Sequence, residues 1–248
     1  MKILQQLAAF MVALSLVSCT KSQQAFFREH KIIDIHINGY IAQDSLQLKL
    51  GNSIIEASED GSAHYFQGRV STKQVSNGPT TFSVFDSKGV PLLEKKIDGT
   101  ALSNTVKFYY DGTSLIDKLP EIPKPAPGNV GMLINFPERP FSKVPAKDIA
   151  VEVYIAKRGQ PTIRKVYPLN EEGNVFVDLT IPATYTSLTL RMVKAANPSE
   201  MYLDNSKTTI VLINVPKPDK GALVLIKEYA DGGNFMGIQG IELTQYLN

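Results

Sequence analysis

From Lys31 onward, apolar and polar residues alternate with a period of two. Ile33, Ile35 and Ile37 are separated by Asp34 and His36. Leu46, Leu48 and Leu50 are separated by Gln47 and Lys49, and Val106, Phe108 and Tyr110 by Lys107 and Tyr109. Successive side chains of a strand point to opposite faces, so each stretch predicts a half-buried strand. Turn signals punctuate them: Asn38-Gly39, Asp60-Gly61, Asn77-Gly78-Pro79, Lys88-Gly89 and Asp98-Gly99. About seven short strands between Lys31 and Asp111, at fairly even spacing, predict a β-sandwich.

A second all-β stretch lies further along. Val151, Val153 and Ile155 alternate with Glu152 and Tyr154, Val175, Val177 and Leu179 with Phe176 and Asp178, and Leu188, Leu190 and Met192 with Thr189 and Arg191. Thr208–Val215 and Ala222–Tyr229 are denser apolar runs, the pattern of central strands. Ala195–Leu203 predicts a short helical turn around Asn197-Pro198, and no segment sustains a period of 3.6.

Between the two stretches, Leu119–Gly128 is rich in proline. Proline fixes φ and removes a ladder donor, which predicts an extended, semi-rigid linker over 118–128. The expected fold is all-β: two tandem Ig-like β-sandwich domains, 31–117 and 129–248, joined by that linker. The halves share a faint grammar. Ile37-Asn38-Gly39 precedes a strand starting at Asp44, and Ile134-Asn135-Phe136 precedes one starting at Asp148. Duplication and coincidence of strand pattern both fit.

The N-terminus carries the most specific motif. Lys2 supplies a positive charge, Ile3–Val17 is mainly apolar, and Leu16-Val17-Ser18-Cys19 follows. The apolar stretch has the length of a signal-peptide core and is short for a spanning helix. Leu16–Cys19 resembles the lipobox of bacterial lipoproteins. That resemblance implies a leader, 1–18, cut before Cys19, with acyl chains attached to the Cys19 thiol and to the new amine. Several chains together would hold the protein firmly in a leaflet, where a single chain binds only marginally. Residues 19–30 then form a lipidated tether, with Phe26-Phe27 as a docking pair or as packing beneath the first domain. With the two sandwiches, the whole resembles an exported lipoprotein of the Bacteroidetes kind. Thr20-Lys21 follows the cysteine, so the Asp that retains enterobacterial lipoproteins at the inner membrane is absent. The acidic cluster associated with surface export is absent too. The expected location is the outer membrane, on its periplasmic face rather than the cell surface.

Composition narrows the functional classes. Lys and Arg total 26 against 24 Asp and Glu, too balanced for a nucleic-acid footprint. One cysteine cannot close an intrachain disulfide. The three histidines, His30, His36 and His64, lack metal-ligand spacing. Neither a nucleophile elbow nor a phosphate loop is present. The adjacent carboxylates Glu59-Asp60 and Glu171-Glu172 precede glycines and read as solvated turns. Gly232–Gly240 reads as a hairpin loop with a bulge, or as a binding loop presenting Phe235 and Met236.

Trp is absent, so a sugar-stacking surface would rest on Tyr65-Phe66, Tyr109-Tyr110, Tyr154, Tyr167, Tyr185 or Tyr202. These observations predict no catalytic, cofactor or metal residues, Cys19 being the one assigned site. The expected function is a membrane-anchored, non-enzymatic binding or scaffold lipoprotein that holds an envelope protein partner. The alternative is a glycan-binding accessory lipoprotein of polysaccharide uptake.

Overall fold

The period-two stretches form strands throughout a computed structural model that describes residues 31–42, 45–55, 65–74 and 80–247. The leader, Cys19 and the tether over 19–30, with Phe26-Phe27, lie outside the described residues. So do His30, His64 and the Glu59-Asp60, Asp60-Gly61 and Asn77-Gly78-Pro79 signals. Two units emerge. The first extends through Val106 and resumes at Tyr110–Leu115; the second comprises Lys107–Tyr109 and Ile116 onward.

Eight strands build the sheets of the first unit: β1 (Lys31–Ile41), β2 (Gln47–Leu50), β3 (Ser53–Ile55), β4 (Tyr65–Gln74), β5 (Thr80–Phe85), β6 (Pro91–Ile97), β7 (Ser103–Tyr110) and β8 (Leu115–Ile116). They lie in two four-stranded sheets, ordered β4-β1-β7-β8 and β3-β2-β5-β6. Ile33, Ile35 and Ile37 of β1 are buried, as are Leu48, Leu50, Phe82, Val84, Val106 and Phe108. Each such side chain contributes about 1.5–3 kcal/mol on leaving water. Asn38-Gly39, expected as a turn, lies inside β1 opposite Gln67 and Phe66. A ladder reaching Tyr40↔Tyr65 holds it extended and overrides the local preference. Lys88-Gly89 does turn, with Gly89 at φ +81°.

The second unit has β9 (Val130–Asn135), β10 (Ile149–Ile155), β11 (Ile163–Pro168), β12 (Asn174–Leu179), β13 (Ser187–Lys194), β14 (Ile210–Asn214), β15 (Gly221–Asp231) and β16 (Asn234–Glu242). Its sheets are ordered β12-β9-β15-β16 and β11-β10-β13-β14. Adding eight to each strand number of the first unit gives this order, so the two units share one topology. The faint likeness of Ile37-Asn38 to Ile134-Asn135 falls on corresponding strands, β1 and β9. Each sheet has four strands, and neither repeats the ABED and CFG order of an immunoglobulin constant domain.

One core cluster spans both sheets of the second unit. It includes Met132 and Ile134 from β9, Val151 and Val153 from β10, Leu190 and Met192 from β13, and Val224 and Ile226 from β15. Two expectations are corrected here. Thr208–Val215, read as a central strand, supplies β14 at the edge of its sheet, because only one of its two apolar faces is buried. Ala195–Leu203 holds successive turns instead of a helical one: Asn197 N–H donates to Lys194 O, and Glu200 N–H to Asn197 O. The described helices are two short 3-10 turns, Ala146–Asp148 and Thr244–Tyr246.

Candidate functional site

The two outer faces of the second sandwich are treated differently. On the β12-β9-β15-β16 sheet, the proline-rich segment lies against the strands as part of the second unit. Pro125 is buried. A Cβ at Gly131 would press on Pro125 and on the Phe176 ring, and one at Gly221 on Ile122. Asp178 fastens this strap: its carboxylate accepts from Ala126 N–H at 3.0 Å and from Asn129 Nδ2 at 2.7 Å. The expected spacer therefore docks for its last third. Proline removes few donors that docking would leave unsatisfied, which suits it to lie on a sheet face.

The β11-β10-β13-β14 sheet has no such strap. Register places Arg164 and Val166 of β11, Glu152 and Tyr154 of β10, Thr189 and Arg191 of β13, and Ile210 and Leu212 of β14 on its outward face. A solvated sheet face is normally polar. Here Leu212 is 70% exposed, Ile210 47% and Val166 38%. In their midst Glu152 is fully buried. Arg164 donates through Nε to Oε1, and Arg191 donates through Nη1 to Oε2 at 2.6 Å. The Arg191 guanidinium also lies 5.8 Å from the Tyr154 ring centre, within cation–π range. A buried carboxylate needs such partners, because taking a charge out of water costs several kcal/mol.

Around the edge of this face, Leu212 lines a groove of about 270 Å³ with Ile241, Glu242 and Gln245. It lies along the seam where β14 meets β16. Glycine makes that seam possible: Gly237, at φ +125°, would bring a Cβ onto the Thr208 carbonyl, and a Cβ at Gly240 would overlap Val211. Thr208 N–H donates to Met236 O and Ile238 N–H to Thr208 O, linking the two sheets.

The loop end of the sandwich is a lock. Glu228 accepts from Phe141 N–H at 2.8 Å and Ser142 N–H at 3.1 Å, and from the Tyr202 hydroxyl at 3.4 Å. That holds Phe141 against Phe235, with ring centres 5.2 Å apart and planes 14° apart. Lys207 lies 5.7 Å from the centre of the Phe235 ring and donates to Phe235 O. Phe235 is thereby pinned, while Met236 is exposed. Gly232–Gly240 is a tight hairpin, with Gly232 and Gly233 at φ +54° and +82° and a register shift at Tyr229/Ala230. Beside the lock, Val144, Lys147, Lys194 and Tyr202 line a hollow of about 380 Å³.

The other residues singled out by sequence are dispersed. His36 is exposed on β1 between Asp34 and Asn38, and Glu171-Glu172 sit exposed in the turn before Gly173. Tyr109, Tyr110, Tyr185 and Tyr202 are buried, and Tyr154 lies beside Arg191, so these tyrosines make no shared outer platform. Among the described residues, no group of three or more His, Cys, Asp or Glu side chains is placed to hold a metal ion. No described helix is long and apolar enough to cross a membrane. The Glu152 cluster escaped sequence reading, because Glu152 and Arg191 look like ordinary solvent-side alternates until register sets them opposite each other. Comparison with known proteins gives neither a matching family nor a curated relative.

Proposed function

We propose that the chain is a membrane-anchored, non-enzymatic binding or scaffold lipoprotein of the cell envelope, holding a protein partner on the open outer face of its second sandwich. The observation that carries the reading is the contrast between the two outer faces. One is covered by the chain's own strap, and the other leaves Ile210, Leu212 and Val166 exposed. Contiguous exposed apolar side chains on a folded domain commonly mark an interaction site. The lipobox at Leu16–Cys19 supports the anchor. Acylation there would tether the chain to the outer membrane, on the periplasmic face.

The test is affinity purification of full-length protein after crosslinking in intact cells, with Cys19→Ala as the control for membrane placement. Wild-type protein is expected in the membrane fraction with one envelope protein enriched, and Cys19→Ala in the soluble fraction without it. A Cys19→Ala form that stays membrane-bound removes the anchor. Absence of any enriched protein removes the scaffold.

A further inference from the structure

We infer that the partner of this face is a protein surface presenting a carboxylate among aliphatic side chains, with the carboxylate meeting Arg164. The inference rests on the docking reading above and specifies its chemistry. Among the outward positions of β11, β10, β13 and β14, Glu152 is the one acid, while Arg164 and Arg191 are the two bases. Two guanidiniums share one carboxylate, so the face carries one uncompensated positive charge. Arg164 commits only its Nε to Glu152, and its side chain is half exposed. A guanidinium has five donors, and its terminal pair suits bidentate recognition of a carboxylate.

The surrounding chemistry excludes other partners. Tyr154 is engaged by Arg191, so no flat aromatic faces outward for a sugar ring. An anionic membrane would call for a cluster of four or more basic residues, and this face has two. A protein fits: aliphatic contacts on Ile210 and Leu212, entry along the groove beside Leu212, and a charge-assisted hydrogen bond at Arg164. Electrostatic complementarity of this kind sets partner choice more than raw affinity.

The experiment places the photo-crosslinking residue p-benzoylphenylalanine at Val166 in the full-length protein, in intact cells. Controls carry it at Leu102 and at Phe141. Leu212→Glu and Leu212→Lys are then introduced separately beside the Val166 probe. Both remove the same apolar contact at an exposed position and leave the Glu152 cluster intact. The expected result is one protein adduct from position 166, reduced about tenfold or more by Leu212→Glu and only about two- to threefold by Leu212→Lys. Equal loss in both variants overturns the acidic partner while leaving the docking face standing. The same adduct arising only from position 141 or 102 overturns the face. A lipid or polysaccharide adduct at 166 overturns the protein partner. No adduct at any position, with no protein enriched in the purification above, overturns both readings together.

Discussion

Glu152 and Arg191 stand directly opposite each other on neighbouring strands, with Oε2 2.6 Å from Nη1, on the side of the sheet that faces away from the core. The carboxylate is fully buried, although no second layer of secondary structure has been needed to bury it. Arg164, Arg191 and Tyr154 provide the cover. Removing one partner of a buried pair costs far more than removing an exposed one. Arg191→Met should therefore destabilise the second unit by about 3 kcal/mol, and half-exposed Arg164→Met by about 1 kcal/mol. Urea denaturation of the two variants reads the difference. Equal costs would mean that Glu152 is hydrated in solution.

The β14–β16 seam predicts an asymmetry between two glycines of one hairpin. Gly237→Ala drives a Cβ into the Thr208 backbone from a positive φ, and should cost about 3 kcal/mol. Gly232→Ala, also at positive φ, meets no atom within 4 Å and should cost about 1 kcal/mol. Thermal midpoints of the two proteins separate them. Comparable midpoints would show that the sheets are not joined at Thr208.

Alkaline pH should loosen the loop end. Burial, then the charge of Glu228 and its hydrogen bond, push the Tyr202 hydroxyl above its ordinary pKa of 10.0. Tyr167 shifts the same way, through burial and then Asp178, and Tyr40 through burial. A folded state that holds its proton more tightly keeps this contribution below the unfolded pKa and loses it as pH rises beyond it. Stability should fall from about pH 10 upward, with each fully shifted tyrosine contributing about 1.4 kcal/mol per pH unit. Tyr202→Phe should make that slope shallower in denaturation curves taken between about pH 9 and pH 12. An unchanged slope would remove Tyr202 as the principal group.

The strap can be released without touching the core. Asp178→Ala removes the acceptor of Ala126 N–H and Asn129 Nδ2, each a charge-assisted bond contributing about 1.5–3 kcal/mol. Amide exchange at Ala126 should quicken while exchange in β10 and β13 stays slow. Matched acceleration across the unit would mean that the strap belongs to the cooperative core.

Much of the architecture can be read from the alternation alone. Val151–Ile155 and Leu188–Met192 form β10 and β13 with the expected residues inward, because a half-buried strand writes its face into every second position. The misread segments share a cause. At Asn38-Gly39 a long ladder outweighs a turn dipeptide. At Thr208–Val215 apolar residues on both faces suggest burial on both sides, when one face is core and the other is open. The candidate face is invisible in the sequence because it depends on register. Nothing local to Glu152 announces Arg164 twelve positions on or Arg191 in another hairpin, and only pairing brings the three together.

The parallel pairing of β9 with β15 bears on how the second unit acquires its structure. Gly131–Asn135 aligns with Gly221–Leu225, a partner about ninety residues later in the chain. The first strand of the sandwich thus waits for the seventh, and its sheet cannot close until nearly the whole unit has been synthesised. Loops of that length close at an entropic cost that precedes any reward, and topologies dominated by distant pairings fold in about milliseconds to seconds. During that interval Met132 and Ile134 lack their neighbours on β15. A growing chain therefore presents its stickiest strand first, and a holding chaperone or rapid completion of the last quarter of the chain decides between native closure and aggregation.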